Sequence, residues 1–384
     1  MNLYLFLALI FIAVYLLGQL IERFKIPWVF SALFVGALLA FENPWPAVTA
    51  APELDFLANL GMYFLLFLIG LEIDLGEMKQ QGSLIIRASF FIILLEALVG
   101  AILIHSLFGT AWLQACLVAL SFATVGEAIL VPILEERQMV HTRLGQLIIG
   151  VGTFDDIFEI LVLVLVVVLF ESEFSYLALS KPVLLVMGLV VVVAGFGILR
   201  RRPFLFHPVE TLFLFSLAVL FLFVGIGSWS DAASLGALFA GIAIKVYFPE
   251  GKLETVLKNI RVVGFGFLAP VFFLSVGMKL DVGFLLTAPL LVVIIFLVTT
   301  VAKLLGSFLM ARSVIGTRAS LLMGIGLSVR FSSSIVIISL LYDKGIVTTD
   351  LYSAIIASTM AFQFFVPVSF SWLLNKWGTE LGKV

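Results

Sequence analysis

Three carboxylates interrupt an apolar run at residues 150–160, GVGTFDDIFEI: Asp155 and Asp156 are adjacent, and Glu159 follows within one helical turn. In hydrocarbon a charge costs several kcal/mol unless it is paired, hydrated or protonated, so residues of this kind mark ion or proton pathways. Carboxylates are hard oxygen ligands for Na+, Li+ or K+, and burial raises their affinity for a proton toward the working pH. One such site can therefore hold a metal ion or protons and exchange one for the other. The bland alternative is a buried structural pair that caps a helix break. Glu159 is three residues from Asp156 and four from Asp155, and it shares a helix face with either. It either lines a cytoplasmic funnel or pairs with a loop.

Four more ionisable groups, Glu96, Glu127, Lys303 and Arg330, fall inside apolar stretches. At ~1.5 Å rise per residue, Asp155 lies about 15 Å from the cytoplasmic end of its span, Lys303 and Glu127 about 11 Å from theirs, and Arg330 about 20 Å. These depths share one central slab. Lys303 is either a functional partner or one end of a static salt bridge; Arg330 is a structural clamp or acts through the potential of the site.

The elements that must position these groups are membrane spans. The 384-residue chain is 62% apolar and 12% charged, with mean hydropathy +1.24, where a soluble chain needs about 25% charge to cover itself. No basic patch suits nucleic acid, and the net charge is −2. The single cysteine, Cys116, excludes an intrachain disulfide, and His105, His141 and His207 fall near predicted span ends without forming a metal motif. No phosphate loop, zinc motif or nucleophile elbow is present, which excludes the common enzyme classes; no cofactor is implied. The first twenty residues lack a basic region and a cleavage site and are expected to be a retained span.

Apolar runs predict thirteen spans: 3–21, 27–41, 55–71, 84–108, 112–134, 145–170, 180–199, 209–227, 232–247, 259–278, 283–310, 316–341 and 351–375. Alternate joints then hold seventeen Lys and Arg residues, against three (Lys181, Lys279, Lys344) in the opposite set. The bias places the N-terminus outside and the C-terminus in the cytoplasm of a bacterial or archaeal cytoplasmic (inner) membrane.

LLFLIGLEIDLGEM at 65–78 is echoed by VFFLSVGMKLDVGF at 271–284, with Gly70 matching Gly277 and Asp74 matching Asp281 at an offset of 207. The copies end their spans on opposite sides and are therefore inverted. The offset takes Thr124 to Phe331 and Glu96 to Lys303. Both span centres so equated, SFATVGEAILVP and GIGLSVRFSSS, mix Gly or Pro with a charge. Broken helices at equivalent places in inverted halves point to a midplane ion site; close packing explains the small residues but not Glu127 or Arg330. The expected architecture is all-α and polytopic, with about 13 transmembrane helices and crossed broken helices at the midplane. Residues 1–178 form a first half broken near 124–127, 179–208 a connector span and loop, and 209–384 an inverted second half broken near 328–333.

These stretches resemble the cation/proton antiporter superfamily, in its second branch of two-aspartate bacterial sodium/proton exchangers and glutathione-gated potassium efflux systems. FLIGLEIDL, SFATVGEAILVPILEE, GVGTFDDIFEI, PVFFLSVGMKLD and LVTTVAKLLGSFLMAR carry the likeness over nearly the whole chain. The resemblance implies that Asp156 carries the cation, that Thr124 helps to coordinate it, and that Asp155 pairs with Lys303. It also implies a homodimer surrounded by lipid. Where the family has Pro-Arg-Gly-Glu, this chain has Val329, Arg330, Phe331 and Ser332, so Glu127 is expected to pair with Arg330 in place of the missing acid. The implied function is exchange of Na+ or Li+ for protons, two protons per cation and hence electrogenic. A K+/H+ antiporter, a sodium-coupled organic-solute symporter and a cation channel are the alternatives.

Overall fold

Proline, glycine and polar caps divide the apolar sequence into helices of very unequal length. The computed structural model describes residues 2–24, 26–72, 82–136, 138–170, 192, 193, 195, 209–229, 232–248, 250–330 and 332–381, and every regular element among them is helical. In chain order the α-helices are α1 (Leu3–Ile21), α2 (Phe30–Phe41), α3 (Pro46–Thr49), α4 (Pro52–Glu72), α5 (Ser83–Phe108), α6 (Trp112–Phe122), α7 (Glu127–Glu136) and α8 (Arg143–Phe170). Then follow α9 (Val209–Ser228), α10 (Ala233–Tyr247), α11 (Glu250–Val263), α12 (Ala269–Met278), α13 (Val282–Thr287), α14 (Pro289–Leu327), α15 (Ser332–Asp343) and α16 (Thr349–Leu381).

Among the described residues, seven helical stretches are long and apolar enough to cross a membrane, and α2, α6, α10 and α15 are shorter apolar helices. Of the predicted span 180–199, residues 192, 193 and 195 are described and the rest lies outside the described residues. The joint expected between 310 and 316 is present inside the stretch α14, where two helices meet at a kink: Gly316 takes φ 78° and ψ 171°, a non-helical conformation open to glycine.

The chain folds as two compact units, one built from residues 1–11, 44–73 and 163–275 and the other from 12–43, 74–162 and 276–384. In the first, α4 packs on α10 and α10 on α9. Gly70 makes the α4 crossing possible, because a Cβ there would overlap the carbonyl oxygen of Leu238 and press on Gly241 and Ile242. In the second unit, α14 packs on α5 and α16, and α5 on α6. Gly277 meets α2 in the same manner as Gly70 meets α10, with its missing Cβ over the carbonyl oxygen of Leu33 and against Gly36 and Ala37. Ile92, Leu130, Ile148, Leu322, Phe362 and Phe370 belong to the apolar core of this unit.

Two helix breaks lie inside the second unit. One separates α6 from α7 at residues 123–126; the other separates α14 from α15, with residues 328–330 described. A break buried in an apolar interior frees N–H and C=O groups, and these must find partners other than water. The partners they find define the site.

Candidate cation site

The two breaks satisfy each other first: the Gly126 N–H donates to the Val329 carbonyl oxygen at 2.8 Å. The hydroxyls of Thr124 and Ser334 lie 2.6 Å apart, so the same pair of segments is joined by side chains as well. The Val125 N–H donates to Oδ2 of Asp155, which α8 brings to the first break. On the second break, the Arg330 carbonyl oxygen accepts from Nε2 of Gln363 on α16. A helix break that would be costly in hydrocarbon is thus tied down by one carboxylate, one amide side chain and the opposite break.

Lys303 completes the first break. Its Nζ donates to the Ala123 carbonyl oxygen at 2.8 Å and reaches the Thr124 carbonyl oxygen at 3.5 Å. The ammonium is also 3.1 Å from Oε2 of Glu96, an ion pair whose angle falls outside hydrogen-bond geometry. Oε1 of the same carboxylate accepts from Nη2 of Arg330 at 3.2 Å, and that Nη2 also donates to the Thr299 hydroxyl at 3.0 Å. The guanidinium carbon lies 4.7 Å from the ring centroid of Phe122 and 4.3 Å from that of Phe362, so two aromatic faces cover the cation. Glu96, Lys303 and Arg330 are each about 1% exposed, which rules out water as their main source of solvation.

The structure brings together Thr124, Asp155, Lys303, Arg330 and Glu96. Both buried cations take a described acid partner that sequence reasoning did not assign to them. Lys303 is paired with Glu96, because α5 packs against α14 and presents Glu96 to the ammonium, and Oδ2 of Asp155 accepts from the Val125 amide. Arg330 likewise takes Glu96 as its described carboxylate partner. The pairing expected from Glu127 falls on a side chain outside the described residues. Glu127 opens α7 and Asp156 and Glu159 lie on α8, but the side chains of all three lie outside the described set. Sequence reasoning missed Gln363, Ser334 and Thr299. Gln363 alone carried a usable signal, as a single amide in the apolar run TMAFQFFVPV.

Two interrupted helices joined at their breaks, with buried acids and bases around the junction, define a polytopic membrane protein that handles ions in its interior. The chain belongs to the sodium/hydrogen exchanger family: the family described as "Sodium/hydrogen exchanger, transmembrane" matches residues 7–376. It is a secondary active antiporter of Na+ or a related monovalent cation against protons, and not an enzyme. Among relatives, the probable Na+/H+ antiporter 3 of Methanocaldococcus jannaschii is 26% identical over 364 residues, covering 92% of each chain. A Na+/H+ antiporter of Enterococcus hirae is 27% identical over 384 residues, covering 96% of this chain and 97% of that protein. The solved sodium proton antiporter MjNhaP1 of Methanocaldococcus jannaschii at pH 8 shares the fold with TM-score 0.70, at 16% identity over 96% of this chain and 98% of that one. A second structure of MjNhaP1, from electron microscopy, gives TM-score 0.63 at 17% identity, covering 99% of this chain and 97% of that one.

These findings correct the expected placement in the second, two-aspartate branch: the match is to the sodium/hydrogen exchanger family, and the shared fold is that of MjNhaP1. That placement rested on five stretches that include the Asp155–Asp156 pair and Lys303.

Proposed function

We propose that the chain exchanges Na+ or Li+ for protons at the junction of the two helix breaks, with Asp156 as the carboxylate that binds either, and Asp155 and Thr124 beside it. The observation that carries this reading is the junction itself: the Gly126 to Val329 bond, with the Asp155 carboxylate on the adjacent Val125 amide. Backbone carbonyls, hydroxyls and a carboxylate converge there, and these are the oxygen ligands that a small monovalent cation requires. Glu127 and Glu159 keep their proposed roles as charge partner and funnel residue. Two protons per cation belongs to the same proposal. Its support is the residue set, two adjacent acids and a buried lysine at one break.

The architecture proposed around the site is about thirteen spans in two inverted halves, each half with one broken helix. It is supported by the matched seats of Gly70 and Gly277, which meet the first, fourth and fifth residues of equivalent short helix stretches. The charge bias supports an outside N-terminus and a cytoplasmic C-terminus, and family resemblance supports a homodimer.

Cation-induced proton movement in proteoliposomes, compared across Na+, Li+ and K+, tests the reading. Na+ and Li+ are expected to drive it in the wild type, and Asp156→Asn is expected to abolish it. Exchange preserved in Asp156→Asn would remove the central assignment. At zero pH gradient an imposed membrane potential is expected to drive exchange; indifference to the potential would establish one proton per cation.

A further inference from the structure

The strongest feature that the exchange reading leaves unused is the pairing of Glu96 with Lys303. The offset of 207 that equates Gly70 with Gly277 also carries Glu96 onto Lys303 and Ala123 onto Arg330. In the folded chain Glu96 touches Lys303 at 3.1 Å, Lys303 touches Ala123 at 2.8 Å, and Glu96 touches Arg330 at 3.2 Å. Exchanging the two halves leaves this set of contacts unchanged. The first contact maps onto itself, and the second and third map onto each other. Two equivalent residues that meet each other must lie at the internal two-fold, and each here reaches out to the break of the opposite half.

The geometry points to Glu96 as a positioning residue of the exchanger: with Lys303 it forms a charged yoke on the internal two-fold, holding both helix breaks in register and staying closed while the site changes sides. The inference rests on the inverted-repeat reading given above. Exchange of conformation between two inverted halves leaves their common axis in place, so a contact on the axis is the one that need not open. The contacts that flank it, Lys303 to Ala123 and Glu96 to Arg330, are free to trade geometry from one face to the other. Glu96 is the only described carboxylate paired with either cation, and the low-dielectric surroundings make that pair costly to separate.

A disulfide beside the yoke tests whether it stays closed. A Cβ built on Gly306 of α14 lies 3.6 Å from Cβ of Ile92 on α5, within the range that a disulfide spans. Ile92→Cys with Gly306→Cys, in a Cys116→Ser background, is oxidised in proteoliposomes, and closure is scored by loss of thiol labelling. The cross-linked protein is expected to keep at least half of its Na+-driven proton movement, and reduction should change the rate little. A cross-link that stops exchange until it is reduced overturns the yoke, as does failure of the disulfide to form.

Kinetics supply the second arm. Glu96→Gln is expected to lower kcat about tenfold with the KM for Na+ within about twofold, Glu96→Asp to recover part of the rate, and Glu96→Gln combined with Lys303→Gln to be no slower than Glu96→Gln alone. A raised KM at unchanged kcat would make Glu96 an ion ligand and overturn its positioning role. If Glu96→Gln does not fold, the cross-link arm still decides. Asp156→Asn measured alongside separates the two readings: exchange surviving in that variant removes the ion site and leaves both arms readable against the wild type.

Discussion

Glu72 and Glu96 make nearly the same set of contacts in different surroundings. Glu72, at the end of α4, accepts from Arg261 with Oε1 at 2.7 Å, and its carbonyl oxygen accepts from Lys245 at 3.0 Å. Glu96 accepts from Arg330 at 3.2 Å and lies 3.1 Å from Lys303. By distance the first set is the tighter. The Arg261 and Glu72 side chains, however, are 52% and 44% exposed, against 1% for each member of the Glu96 set. Exposed ions keep most of their hydration when the pair opens, whereas buried ions have nothing to replace the lost partner. Burial, and not distance, decides which acid the protein can spare.

The largest expected effect follows. Glu96→Ala leaves two cations in the core without their shared carboxylate and should cost about 3–5 kcal/mol, with exchange lost. Thermal unfolding in detergent checks the first outcome and proteoliposome assay the second. A Glu96→Ala protein as stable as the wild type would mean that water reaches the cluster, and the contrast with Glu72 would fail.

How far this contrast was legible in the sequence depends on what each signal encodes. Hydropathy and helical rise place a residue along the membrane normal, so the shared depth of Asp155, Lys303 and Arg330 could be read, and so could both helix breaks from Gly, Thr and Ser set against charge. The offset even equated Glu96 with Lys303. Which residues touch depends on the rotation of each helix about its own axis, and a nearly all-apolar helix such as α5 carries little amphipathic signal to fix that rotation. For that reason the Glu96 pairings with Lys303 and Arg330 were not read from the sequence. Gly316 shows what a charge signal can locate: the joint read from basic residues at 312 and 318 falls where two helices meet at one residue of positive φ.

Substitutions whose cost is steric should ignore the difference between the two regions. Gly70→Ala and Gly277→Ala each place a Cβ on a backbone carbonyl oxygen, in the Glu72 unit and the Glu96 unit respectively. Helices that cannot slide apart without losing neighbouring contacts pay about 1–3 kcal/mol for such overpacking. Equal losses by thermal unfolding are expected, and they would show that the Glu72 unit is not merely tolerant of every change. Thr124→Val comes next: it removes the hydroxyl that lies 2.6 Å from the Ser334 hydroxyl and should cost about 1–2 kcal/mol, since a buried partner is left behind. Its KM for Na+ should rise if the break holds the cation, which separates the substitution from a simple loss of stability.

The smallest effect is the most discriminating. Glu72→Ala should cost about 0.2–1 kcal/mol at low ionic strength, because both partners regain water when the pair is removed. Screening shortens the reach of exposed charges from roughly 10 Å at 0.1 M salt to roughly 3 Å at 1 M. The loss in Glu72→Ala should therefore shrink toward nothing as salt is raised, while the loss in Glu96→Ala should stay constant, since mobile ions do not enter the core. Choline chloride is the salt for this comparison; a sodium salt would add the stabilisation of bound substrate to the screening. Parallel salt dependence in the two variants would place both acids in the same dielectric and remove the basis for assigning Glu96 a role that Glu72 lacks.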